Sequence, residues 1–323
     1  MGFLSILNTQ IGNYEIACYY IIIAAAFDSV DGVIEHSYAS GSPDAGFYIG
    51  QCYPCDAIVN NVISENNGLG YSGTNSGGSL YIVSSVFKNN KGGLAPNTLD
   101  SELLPPERET FIIGNLIENN NNIDAPATQS TNLSLGNGVV IAGGNNNVIK
   151  NNVIANHNLY GVIITATADV NYWPAHGNRV ESNLIINSKR ADIASSGLSN
   201  LGNCFENNYF NTSIPPGLQT LNNCDSSFYP LSADLSGMWS SLARVIQTSD
   251  GNYSQGDWRT FEAPANQPNM PIMDELMSLG YDKTSLPVTK IWSSVKPAVE
   301  VFSQYEDVLE VIELPEEARN YLN

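Results

Sequence analysis

Three polar stretches of this chain hold most of the groups that could do chemistry. Residues 95–110 contain Glu102, Glu107, Arg108 and Glu109, residues 121–137 contain Asp124, and residues 166–178 contain Asp169, Tyr172, Trp173 and His176. A pair of carboxyls can act as acid and base in glycoside hydrolysis. A carboxylate beside Arg108 could instead stabilise an enolate-like intermediate, as a lyase or epimerase requires. Trp173 and Tyr172 offer flat faces for sugar rings. The candidate catalytic residues are therefore Glu102, Arg108, Asp124, Asp169 and His176, with Tyr172 and Trp173 as candidate substrate-binding residues. Asp44, just before "AGFYIG", could face a strand groove or cap a turn. A plainer role is open to each of these. Loop carboxylates are mostly solvated, "LPPERE" could be a packed loop with a surface ion pair, and Trp173 ahead of Pro174 could fold its loop down.

These stretches interrupt a repeat, and the repeat must position them. "NVISENN" (61–67) returns as "SVFKNN", "NLIENN", "NVIANH", "NLIINS" and "NYFNTS". Anchored on Val62, Val86, Leu116, Val153, Leu184 and Tyr209, with a weaker copy at Tyr38, the base period is about 24 residues, lengthened by the insertions. A second short apolar stretch follows each motif: "GFYIG", "LGYSG", "GVVIAG", "GVIITA" and "ADIAS". These are strand-like, and no repeat holds a helical pattern. The expected fold is all-β: a single-stranded parallel β-helix with Asn ladders, plus a partly helical, partly irregular C-terminal extension. Asn suits its corners because it tolerates positive φ and because its amide can bond to the coil stacked on it. Val, Ile, Leu and Phe of each coil then form one continuous core. The first and third insertions follow the second strand of their coils and should project from one side.

"DAGFYIGQCYPCDAIV" (44–59), "GNGVVIAGGNNNVIKNNV" (136–153) and "GNCFENNYFNTSIP" (202–215) resemble the right-handed parallel β-helix repeat proteins of the pectate-lyase-like superfamily, in particular a secreted bacterial subgroup of unsettled activity. The resemblance covers roughly residues 28–224. It implies right-handed coiling and a sugar site on one long strand face, walled by loops. The family's catalytic signatures are absent: the N-T-D, paired D-D, G-H-G and R-I-K set of polygalacturonases, the R-x-P-x-x-R of pectate lyases and the D-P-H motif of alginate epimerases.

Asn accounts for 40 residues, 33 of them between Asn60 and Asn223, while the charged fraction is 14% and the net charge −19. That charge disfavours nucleic acid and anionic membrane. It also repels an anionic polysaccharide unless Ca²⁺ bridges the two; no other cofactor and no metal site is expected. The longest apolar run, residues 16–27, is too short to span a bilayer and is flanked by Glu15 and Asp28. No signal peptide is visible in this chain.

The domain reading is an N-terminal segment or cap (1–27), the β-helix (28–224), a C-terminal cap (225–260), and a Pro-rich linker with an acidic tail (261–323). Within the cap, Met238, Leu242 and Val245 could share a helical face, and Ser232 could cap its start. Cys204 and Cys224 bracket the last coil and are expected to pair. Cys52 and Cys55 form C-Y-P-C, for which a local disulfide ranks ahead of free thiols, redox or zinc chemistry. Cys18 is the odd one out and is expected to be buried. Disulfides would place the protein in an oxidising, extracellular compartment.

The expected function is a secreted, monomeric β-helix protein whose partner is a polysaccharide or glycan surface, which it binds or modifies by lyase, hydrolase or epimerase chemistry. The alternative is a non-catalytic structural or adhesive surface protein. Whether it is an enzyme stays open at this point.

Overall fold

The computed structural model describes residues 32–198 and 201–225. The segment 1–27, residues 226–260 of the expected cap, Cys18 and the linker and tail at 261–323 lie outside the described residues.

The described chain winds as a parallel β-helix of three sheets. Sheet A stacks Gly32–Glu35, Ala57–Asn60, Gly77–Val83, Arg108–Ile113, Val148–Lys150, Arg179–Glu181 and Cys204–Glu206. Sheet B stacks Tyr38–Ser40, Ile63–Glu65, Val86–Lys88, Leu116–Glu118, Val153–Ala155 and Leu184–Ile186. Sheet C stacks Ala45–Tyr48, Leu69–Thr74, Gly92–Asn97, Val139–Ala142, Tyr160–Thr165, Ala191–Ser196 and Ser213–Ile214. Each coil contributes one strand to each sheet, in the order A, B, C, and every pairing between coils is parallel. The last coil has only an isolated bridge at Tyr209 in place of its sheet B strand.

The repeat anchors Val86, Leu116, Val153, Leu184 and Tyr209 stand in register, as spaced in the sequence. Val62 does not: its neighbour Ile63 pairs with Tyr38 and Val86, so this copy is slipped by one. Val62 instead fills an inward corner, where its N–H donates to Ser85 Oγ. The paired anchors also point away from the barrel. Strand alternation turns the next residue inward, and Phe87, Ile117, Ile154 and Ile185 join Tyr71, Leu80, Leu94 and Val162 in the central core.

Asn divides its two corner jobs between adjacent positions. The first residue of each corner is left-handed: Asn61, Asn151 and Asn207 between sheets A and B, Asn66, Asn89, Asn119, Asn156 and Asn187 between B and C, Asn146 between C and A. The second turns inward and builds a ladder. Asn115, Asn152, Asn183 and Asn208 form one column, in which each side-chain oxygen accepts both the N–H and the amide of the residue one coil earlier. Asn67, Asn90 and Asn120 form a second column, and Asn147, Asn178 and Asn203 a third. The expectation that one Asn does both jobs is therefore corrected: Asn151 has φ 54°, whereas Asn152 is not at positive φ.

This division is testable. Asn152 donates to Ile112 O and Asn183 Oδ1 and accepts from the N–H and amide of Asn115. Asn152→Ala strands these buried partners and should cost about 3 kcal/mol. Asn151→Ala loses only a tolerated left-handed conformation and should cost about 1 kcal/mol. Urea denaturation of both variants checks the ranking.

A glycine column faces the second ladder. Gly46, Gly70, Gly93, Gly138 and Gly161 each sit where a Cβ would meet a ladder side chain or a neighbouring carbonyl. At Gly93 that carbonyl is Gly138 O, 2.0 Å from the position of an added Cβ.

Candidate functional site

The insertions leave the barrel at two corners. Residues 98–107 and 166–178 both follow sheet C strands and project from the corner between sheets C and A, as their spacing implies. Residues 121–137 leave from the opposite edge of sheet C, between sheets B and C. This second insertion runs back over earlier coils. Ile123 O accepts the Lys91 ammonium at 2.6 Å, Asn122 donates to Asn66, and Thr128 N and Thr131 Oγ1 donate to Pro43 O in the first coil. The first insertion also reaches back, pinned by Asn75 to Leu99 and Glu102 and by Gln51 to Leu103. Two walls thus flank the outer face of sheet C over its first coils.

The sequence-named residues distribute across this frame. Asp124 lies exposed on the second wall, where its N–H donates to Asn122 Oδ1. Arg108 stacks on the Tyr53 ring, 3.7 Å from its centroid, and donates to Leu104 O and Pro106 O. Glu109 accepts the Tyr53 hydroxyl. His176 accepts the Leu201 N–H on Nδ1, which leaves Nε2 to hold the proton of the neutral ring. Asp169 accepts the Asp100 N–H, Tyr172 donates to Leu198 O, and the Trp173 indole donates to Asp100. Arg108, Asp124, Asp169 and His176 therefore engage separate partners and share none.

Asp100, which the sequence did not single out, ties the first and third insertions together. Its carboxylate accepts the Asn171 N–H, the Asn171 amide and the Trp173 indole N–H. Those donors, led by the Asn171 backbone, hold it below the usual carboxylate range.

Glu107 is drawn inside the barrel rather than into a groove. It is fully buried, with Thr110 Oγ1 donating to one oxygen and the Asn147 amide to the other. In the two coils below, that ladder position donates to the backbone carbonyls Gly144 O and Ala175 O. Burial pushes the Glu107 carboxyl up to about 8, against the smaller opposing effects of Thr110, Asn147 and Arg108.

Glu102 stands apart from these. The hydroxyl of Tyr48 donates to its Oε2 at 2.7 Å. Tyr48 belongs to the first sheet C strand and faces outward, in register with Ser72 and Ala95, while Phe47, Tyr71 and Leu94 face the core. Both partners are half-buried. Burial raises the Glu102 carboxyl, Asp44's charge adds to that, and the Tyr48 bond works against it. The same pair, led again by burial, raises the Tyr48 hydroxyl. Asp44 immediately precedes this strand, at the edge of the second wall; its side chain is exposed, yet its crowded surroundings raise its carboxyl too. The structure thus brings Glu102 and Asp44 to opposite ends of one strand and adds Tyr48. Tyr48 was visible in the sequence only as part of "GFYIG".

Cys52–Cys55 and Cys204–Cys224 are both disulfide-bonded. Among the described residues one trio of metal-ligand types converges, Glu181, Glu206 and Cys224. Cys224 is spent on its disulfide and Glu181 is paired with Lys150 and Arg179, so the trio offers no three-ligand site. No helix among the described residues is long and apolar enough to cross a membrane.

No family model matches this chain, and no curated protein matches it. Among solved structures it is similar to the mannuronan C-5 epimerase AlgE4 A-module of Azotobacter vinelandii, at 14% identity over 56% of each chain with a TM-score of 0.35. It is also similar to the AlgE6 A-module of the same organism, at 17% identity over 56% of this chain and 55% of that one, with a TM-score of 0.32. The chain therefore spans little more than half the length of either module.

Proposed function

We propose that this is a secreted β-helix protein that binds or modifies a polysaccharide laid across the outer face of sheet C. The observation behind this reading is the Tyr48–Glu102 pair: a half-buried carboxyl, raised by burial and held by a tyrosine hydroxyl on a strand face with a wall on either side. A carboxyl raised in this way holds its proton more readily than an ordinary one, and such a group can deliver a proton to a glycosidic oxygen or take one from a ring carbon. Tyr48 keeps it oriented and adds a second hydroxyl for a sugar oxygen. Asp44, at the other wall, is the second acid of the set. With a net charge of −19, a neutral polymer is the favoured ligand, and a uronate polymer needs Ca²⁺ between the two surfaces. Two disulfides fit an oxidising compartment.

The test is a glycan array together with a panel of neutral and uronate polymers, read for new reducing ends, unsaturated ends and epimerised residues. Glu102→Gln should lower turnover by about 100-fold or more while binding stays within a few fold. Tyr48→Phe should shift the acid limb of the pH profile. Absence of both binding and product would overturn the reading.

A second reading, a non-catalytic adhesive rod, is favoured by the internal use of the aromatics. The Tyr172 hydroxyl and the Trp173 indole N–H both go to protein acceptors. Glycan binding with no product, unchanged by Glu102→Gln, would select it.

A further inference from the structure

The outer face of sheet B has the properties of an internal surface. Val86, Leu116, Val153 and Leu184 point away from the central core, yet their exposures are 5%, 0%, 1% and 1%. The outward positions beside them, Ala155 and Ile186, are at 0%, and Glu118 is at 5%. The burial is local: Tyr38 and Ile63, in the same column on the first two coils, are only half-buried. Glu118 is raised by this burial against the opposing charge of Lys88.

We propose that this stripe is a docking surface for residues 231–249 of the same chain, a segment outside the described residues. Three observations select that occupant. First, "LSADLSGMWSSLARVIQTS" places Leu235, Met238, Leu242 and Ile246 at helical spacing. From Leu235 to Ile246 such a segment would extend roughly 16 Å, and the stripe from the third to the sixth coil extends about 14 Å at one strand spacing per coil. Second, the described chain ends at Asp225, one residue past the Cys204–Cys224 disulfide on the last coil. The nine residues 226–234 can reach about 30 Å when extended, enough to turn back onto the sixth coil. Third, the covered coils are those nearer that end. The apolar run at 16–27 precedes the first coil in the chain, where the column is only half-buried, and is the poorer fit.

Hydrogen exchange on the full-length chain tests this. Amides of 231–249 should be protected in the wild-type protein. Val153→Asp, on the stripe, should lower their protection by about tenfold or more while the ladder amides of Asn115 and Asn183 stay protected. If Val153→Asp fails to fold, Leu242→Asp makes the same test from the other side without touching a coil. Free exchange of 231–249 in the wild-type chain would overturn the proposal, as would protection indifferent to both substitutions. So would a wild-type dimer that Val153→Asp splits, which would assign the stripe to a second copy of the chain.

Discussion

Glu107→Gln is expected to raise the melting temperature at pH 8 by on the order of 10 °C and to leave it nearly unchanged at pH 4. Glu107 is fully buried and titrates near 8, against an ordinary value of 4.5. A carboxyl raised in this way contributes its full stability below about 4.5 and loses it as the pH climbs through 8. The loss is on the order of 5 kcal/mol. Gln at this position keeps both partners, because its oxygen accepts from Asn147 and its amide donates to the Thr110 hydroxyl. His157 supplies the opposite slope. It takes a second-ladder position, where the Asn120 amide meets its Nε2, and burial lowers it from 6.5 to about 3. A lowered histidine contributes above 6.5 and loses that contribution as the pH falls toward 3. These two groups together give a stability that rises to about pH 4.5, runs level to about 6.5 and then falls. Thermal melts of both proteins from pH 3 to 9 measure this; Glu102, Asp44 and Glu118, raised less far, leave a smaller slope of the same sign, so an alkaline slope undiminished by Glu107→Gln would refute the assignment.

Gly93→Ala should destabilise the protein by about 3 kcal/mol or more, enough to lower its yield of folded chain. The added Cβ would lie 2.0 Å from Gly138 O and 3.1 Å from the Asn120 amide. That carbonyl cannot retreat without breaking the Leu94 N–H bond to it. Gly217→Ala is the control. Gly217 has φ 75° with nothing within 4 Å of an added Cβ, so it carries only the backbone penalty of about 1 kcal/mol. Equal losses in urea midpoint would mean that crowding against the ladder is not the cause.

The architecture was legible because its rules are local. Paired Asn, short strands bounded by Gly and Asn, and the Cys52–Cys55 bridge follow from residues a few positions apart, and the period and the Cys204–Cys224 bridge from residues about one coil apart. Facing was harder. Leu116 and Ile117 are equally apolar, and only the inward turn of Asn115 decides that Ile117 joins the core while Leu116 faces out. The one-residue slip at Val62 has the same origin, since "NVI" reads alike in either phase until Ser85 fixes the corner. The candidate site was legible in its parts and not in its pairings. Glu102 and Asp44 could be named from the sequence, but Tyr48 lies 54 residues from Glu102. Asp100 meets Asn171 and Trp173 across more than 70 positions. Spacing along a chain says nothing about which insertions meet once the coils are stacked.

The ladders have a direction. In each column the side-chain oxygen of one coil receives the donors of the coil before it, so every amide in the stack points the same way. Gln219 ends the first column: it accepts both donors of Asn208 and turns its own amide back onto Asn208 O. A one-way column left open would be a template for head-to-tail filament growth, each molecule's last layer presenting bare donors to the next. Gln219 closes that layer on itself, and Phe205 N–H, bonded to Asn222 O, is closed off beside it, so this column presents no bare donor to a further layer.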